Sequence, residues 1–171
     1  MIWRFKMNKL YSTDVGLFLD TAASSTASWE RVGKGVTQAT IGYNAQVTTE
    51  QYINENSATS SVDSYQPQLD TNQTAYKDEE VFEFVDSIRK ARGIGSQCET
   101  DLLIVYLYDN TTAEGTTTYR AEKNACTIEI TDYTLEGGQP LSISYNIHLN
   151  GDPTAGNVTI TSGSPTFTPD A

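Results

Sequence analysis

Four segments of this chain alternate apolar and polar residues with period two, and their polar faces carry no lysine or arginine. In 37–48, Ala39, Ile41, Tyr43, Ala45 and Val47 fall on one side, with Gln38, Thr40, Gly42, Asn44, Gln46 and Thr48 on the other. In 65–72, Tyr65, Pro67 and Leu69 oppose Gln66, Gln68, Asp70 and Asn72, with Pro67 marking an edge or a bulge. Cys126, Ile128 and Ile130 alternate with Thr127, Glu129 and Thr131. After a turn at 136–140, Leu141, Ile143, Tyr145, Ile147 and Leu149 alternate with Ser142, Ser144, Asn146 and His148, and Asn150-Gly151 closes the hairpin. Period two is the signature of a strand with one buried face. The chain must therefore fold as a mainly β domain. The run 102–108 is apolar on both faces, as in a strand covered on both sides, and shorter strands are expected at 10–20 and 157–161.

One segment follows a different period. Phe82, Val85 and Ile88 form a stripe at helical spacing, widened by Val81 and Phe84. Asp78 stands at the N-cap position, and Glu79, Glu80 and Glu83 favour the positive end of the helix dipole. Arg89, Lys90 and Arg92 complement the other end, and Gly93 supplies the stop. The spacing predicts one flanking helix at about 78–92 whose apolar face covers the sheet.

Charge and motif content narrow the function. The chain has 22 acidic and 11 basic residues, a net charge of −11. That argues against a sequence-independent nucleic acid binder and against docking on an anionic membrane. No apolar run approaches the ~20 residues of a membrane span. The start, Met1-Ile2-Trp3-Arg4-Phe5-Lys6-Met7, lacks the apolar run of a signal peptide. Its one histidine, His148, lies inside a strand pattern, and Cys98 and Cys126 have no ligand-like spacing; without a secretory signal, two buried thiols are expected rather than a disulfide. Phosphate-binding and zinc-protease motifs are missing. The chain reads as a non-enzyme with no cofactor and no metal.

Between two strand-like stretches runs a long connection, 49–64, far above the usual hairpin loop. Tyr52, Ile53 and Val62 give it apolar atoms to bury, and Glu50 and Glu55 flank them. That composition predicts an interacting loop. Charge is also unevenly placed: neither 35–76 nor 124–171 contains a Lys or Arg.

The order of these elements resembles a known family. The alternating strand leads into Thr49-Glu50-Gln51-Tyr52-Ile53, then a return at Ser64-Tyr65-Gln66-Pro67. The capped helix 77–85, the run Arg92-Gly93-Ile94-Gly95, the Glu99-Thr100 step and a buried strand follow. Over residues 36–150 this resembles the major tail tube protein of tailed bacteriophages, particularly those with long non-contractile tails. The resemblance implies a single domain, 1–171, built as a tail-tube β-sandwich or barrel of antiparallel strands with one flanking helix. It further implies a flexible N-terminal arm (1–9), a stacking loop (49–64) and a C-terminal tail (162–171). Six copies would form a ring, and rings would stack into a tube in the virion, assembled in the host bacterial cytoplasm. The implied partners are the protein itself, the tape measure protein and tail-tip or terminator proteins. DNA would be passing cargo, and no membrane is involved.

The residues support that use in their own terms. A wall rich in Lys or Arg would bind phosphates and hold DNA, whereas a neutral-to-acidic wall leaves it mobile. The polar strand faces, with Asp70 and Glu129 their only carboxylates, suit such a wall. Expected to face the lumen are Gln38, Thr40, Asn44, Gln46, Gln66, Gln68, Asp70, Thr127, Glu129, Ser142, Ser144 and Asn146. The inter-ring loop would use Glu50, Tyr52, Ile53, Glu55 and Val62. The alternative is a β-sandwich adhesin or carbohydrate-binding module, with Trp3, Trp29 and the tyrosines as stacking platforms.

Overall fold

The computed structural model describes residues 8–22 and 25–171. Of the arm expected at 1–9, residues 1–7 lie outside the described residues, and Asn8 and Lys9 are exposed without regular structure. The elements run β1 (Val15–Asp20), β2 (Trp29–Arg31), β3 (Val36–Gly42), β4 (Gln46–Glu50), β5 (Thr59–Ser64) and β6 (Gln68–Thr74). The helix α1 (Glu80–Ala91) follows, then β7 (Glu99–Ala113), β8 (Thr116–Thr134), β9 (Ser142–Thr161) and β10 (Ser164–Pro169). All strand pairs are antiparallel. Among the described residues, no helix is long and apolar enough to cross a membrane.

The two longest strands organise everything else. β8 and β9 pair along nearly their whole length but change outer neighbours halfway. The first half of β9 pairs with β6, which pairs with β3; its second half pairs with β10. The first half of β8 pairs with β7, which carries β1 and then β2. One ladder thus supplies two sheets. Bulges between Lys123 and Ala125 and between Ile130 and Asp132 let the long strands bend.

Two apolar clusters fill the space on either side of β7. Leu102 and Ile104 point into the larger one with Leu19, Leu69, Cys126, Ile128, Ile143, Tyr145 and Ile147, closed by Val81, Phe82, Val85 and Ile88 of α1. Leu103 and Val105 point the other way, toward Phe18, Ala121 and Val158, with Trp29, Ile160 and Phe167 at the rim. The run 102–108 is apolar on both faces because it is covered on both. Gly156 sits where β10 packs down: a Cβ there would lie 2.4 Å from the Thr168 carbonyl oxygen. Both cysteines are free and buried, and burial pushes the Cys126 thiol up to about 12.

Several boundaries differ from the expectation, each for a local reason. Asn44 adopts a left-handed backbone (φ 46°), which ends the strand pattern of 37–48 at β3 and starts β4 afresh. Tyr43 and Val47, expected in the core, are therefore more than half exposed. Tyr65 is likewise exposed, because β6 begins only at Gln68, after Pro67. Asn150-Gly151 does not close a hairpin; β9 passes through it, and the strand expected at 157–161 is the far half of β9. The expected tail 162–171 carries β10, folded back at a two-residue turn in which Ser162 (φ 52°) and Gly163 (φ 86°) are both left-handed. Arg120 holds its end through a paired contact with Asp170 (2.9 and 3.0 Å).

The helix cap also moves by one residue. Asp78 is left-handed (φ 64°), so Glu79, with extended backbone, is the N-cap and accepts from the Phe82 amide at 2.6 Å. Glu79 is only 7% exposed, and its second donor is the Gln73 amide at 2.8 Å. Gln73 in turn donates to the Lys34 carbonyl and accepts from the Tyr145 hydroxyl at 3.1 Å. This chain of bonds ties α1, β6 and β9 together inside the core. Glu79→Ala removes the cap and leaves the buried Gln73 amide one partner short, so we expect a loss of about 2–3 kcal/mol. Urea denaturation checks it; a loss below about 0.5 kcal/mol would show the network to be dispensable.

Candidate functional site

Burial on one face of a sheet decides what the other face offers. Leu69, Thr71 and Gln73 of β6 and Ile143, Tyr145 and Ile147 of β9 are all buried. Strand alternation therefore turns Gln68, Asp70 and Asn72, with Ser142, Ser144, Asn146 and His148, away from the core. β3 and the second half of β8 flank these strands, giving a four-stranded sheet in the order β3-β6-β9-β8. Its polar residues align across the strands. Thr40, Asp70, Asn146 and Glu129 stand in one row, and Gly42, Gln68, His148 and Thr127 in the next.

Side chains bridge these rows. Asn72 donates to Ser144 Oγ at 2.7 Å, Asn150 to Thr127 Oγ1 at 2.8 Å, and Gln68 to Asp70. Glu129 lies 2.7 Å from His148 Nε2 and accepts from Asn146 at 3.3 Å. Those hydrogen bonds, His148 first, hold the Glu129 carboxyl below the ordinary carboxylate range. Among the described residues of these four strand segments there is no Lys or Arg.

Nine of the twelve residues expected to face the lumen meet on this one surface: Gln38, Thr40, Gln68, Asp70, Thr127, Glu129, Ser142, Ser144 and Asn146. Asn44, Gln46 and Gln66 do not. Asn44 donates to the Gln66 carbonyl at the root of the β4–β5 hairpin, and Gln46 lies on β4 itself. Asn72 and His148 join the face in phase with their neighbours. Asp132 joins it for another reason. The bulge after Ile130 shifts the register, so Asp132 sits opposite Ser144 and adds a third carboxylate where the alternation counted two.

Beside this sheet stands the hairpin β4–β5, whose strands pair only with each other. The segment 49–64 is thus the end of β4, a tip at 51–58 and the whole of β5, not one loop. Every residue of both strands is exposed. Val47 and Val62 face each other across the ladder, each about half exposed. At the tip the Tyr52 hydroxyl donates to Glu50 at 3.0 Å, the Glu55 amide closes the turn on the Tyr52 carbonyl, and Ile53 is 109% exposed. At the root, Tyr43 and Tyr65 pack edge to face, 6.4 Å between centroids. Among the described residues nothing covers the arm's apolar groups Val47, Tyr52, Ile53 and Val62.

No family model and no curated protein sequence matches the chain. Solved structures do. A chain in the tail of an empty gene transfer agent (GTA) particle, determined with C6 symmetry, is 12% identical with a TM-score of 0.60, over 85% of this chain and 98% of that one. The SPP1 tail tube is 11% identical with a TM-score of 0.62, over 91% of this chain and 82% of that one. A chain of the native GTA virion is 12% identical with a TM-score of 0.54, over 86% and 98%. At such identities the likeness is one of fold. A mainly β, antiparallel domain with one helix over a split sheet, superposing along most of its length on tail tube subunits, has the phage tail tube protein fold.

Proposed function

We propose that this chain is the structural subunit of a tail tube, with six copies forming a ring and rings stacking into a conduit for DNA. The observation that carries the reading is the four-stranded face of Gln, Asn, Thr, Ser, His148 and three carboxylates, with no Lys or Arg among its described residues, set beside an arm with uncovered apolar groups. Thr40, Gln68, Asp70, Thr127, Glu129, Ser142, Ser144 and Asn146 line the lumen, with Gln38 at its edge. Glu50, Tyr52, Ile53, Glu55 and Val62 reach the next ring.

Sheet edges at β3 and at the second half of β8 pair with no further strand among the described residues. Such edges pair with another chain unless something blocks them. Repetition around a sixfold axis would join β8 of one copy to β3 of the next and close the lumen wall without an edge. DNA then passes as cargo without a binding site. The tape measure protein and the tail-tip and terminator proteins are the partners that the tube reading requires. The tube belongs to the virion and is put together in the bacterial cytoplasm.

Electron microscopy and mass measurement of concentrated protein test the reading. Rings or hollow tubes of uniform width are the expected result. A strictly monomeric protein at every concentration, with no tube, overturns it.

A further inference from the structure

The root of the hairpin opens into a groove of about 830 Å³ between the two sheets. Its apolar wall includes Ile41, Tyr43, Tyr65 and Leu149, and its rim carries Asp63, Glu122 and Asp152. No Lys or Arg lines it, and none of the three carboxylates has a salt bridge among the described residues. Asn124 also lines it but is only 5% exposed, so an occupant meets the apolar wall and the acidic rim. The groove's chemistry asks for an occupant with an aliphatic side chain and a positive charge.

The chain carries such a group at the opposite edge of the same sheet. The C-terminus of α1 ends at Arg92, held left-handed (φ 50°), followed by Gly93 and by Ile94, which is 80% exposed. Arg92 makes no salt bridge among the described residues. The turn is fixed: the Gly93 amide donates to the Ile88 carbonyl at 3.0 Å, and the Ile94 amide to Gln97 Oε1 at 3.2 Å. A fixed turn loses little freedom on docking. Arg92 and Gly93 border β8 at Thr127–Ile130, whereas the groove borders the end of β3 at Ile41 and Tyr43. The hairpin tip does not fit the groove, because 46–64 holds Glu50, Glu55 and Asp63 and no cation.

We infer that Arg92-Gly93-Ile94 of one copy docks in the acid-rimmed groove of a second copy, with Ile94 against Tyr43 and Tyr65. Arg92 meets the rim carboxylates. Such a contact joins two different surfaces, so it propagates from copy to copy and closes a ring when the rotation allows. The inference rests on the copy-to-copy assembly proposed above and names the surfaces that make it.

The test mixes two variants of the full chain, Ile94→Cys and Tyr65→Cys, under mild oxidation; the native thiols are buried. A disulfide-linked pair containing one of each variant is expected, and neither variant alone should cross-link. In parallel, Arg92→Glu should raise the concentration needed for assembly about tenfold, and adding Asp152→Arg should restore it to within about twofold. Circular dichroism verifies that each variant folds. Tubes that form normally without the cross-link and with Arg92→Glu at wild-type concentration overturn the docking and leave the tube reading standing. Cross-linked pairs without rings or tubes support the docking and overturn the tube. No association in either measurement overturns both.

Discussion

Tubes assembled from Glu129→Lys or Asp70→Lys protein are expected to retain DNA at low salt, where wild-type tubes let it pass. Both carboxylates stand in the row Thr40–Asp70–Asn146–Glu129, on the face turned away from the core. Each change swaps a negative for a positive charge and repeats in every copy, so a sixfold ring moves by about +12 charges. Phosphates in the channel then meet closely spaced cations, and condensed counterions are released as they bind. If about six to ten phosphates are held at a time, affinity falls roughly three to five decades between about 50 and 200 mM salt. Retention should therefore be strong at the low end and absent at the high end. The fold should be nearly insensitive, because both positions are exposed and the surface contacts they lose, Glu129 with His148 and Asn146 and Asp70 with Gln68, are worth at most about 1 kcal/mol. The measurement is DNA retained on washed tubes, and ejection rate from particles, across a salt series. Equal retention by wild type and both variants would mean that this face is not the wall of the channel.

The legible parts of this fold are those where burial leaves a period in the sequence. β7 announced itself by having no polar face, since Leu102 and Ile104 serve one cluster and Leu103 and Val105 the other. The polar face followed from alternation in β6 and β9, which are uninterrupted where they cross the core. What failed was local. A bulge is a single added residue with no composition of its own, so the move of Asp132 onto the polar face left no trace in the alternation. Asn44 could have stood in an extended or a left-handed backbone, and only the chain's return at Gln66, which accepts its side-chain amide, decides. Thr59–Ser64 buries neither face, so β5 carries no period and 49–64 read as loop. β10 was hidden in the same way, because one buried Pro165 and half-buried Phe167 are too few to show a pattern.

The exposed hairpin carries the second large effect. Deleting residues 50–59 and joining the strands through a short turn should leave the domain folded while abolishing tube growth. The arm contributes nothing to either apolar cluster, and its strands pair only with each other. Shortening the connection also costs almost no loop entropy, which changes by only about 0.6 kcal/mol per doubling of length. The melting temperature should therefore stay within a few degrees of wild type. Assembly is another matter. Tyr52, Ile53, Val47 and Val62 present apolar surface that the single chain leaves in water. Burying an exposed Ile or Tyr contributes about 1.5–3 kcal/mol, so the two tip residues alone supply several kcal/mol per copy. In a sixfold ring that gain is repeated six times at each junction, far more than the cost of holding one ring on the next. The milder variant Tyr52→Ser with Ile53→Ser keeps the arm and removes only this term. Single rings, or short irregular stacks, are then expected in place of long tubes. Tube length measured by electron microscopy, with a melting curve on the same preparation, decides the matter. Long regular tubes from the shortened protein would assign ring stacking to another surface and leave the arm to some contact outside the tube.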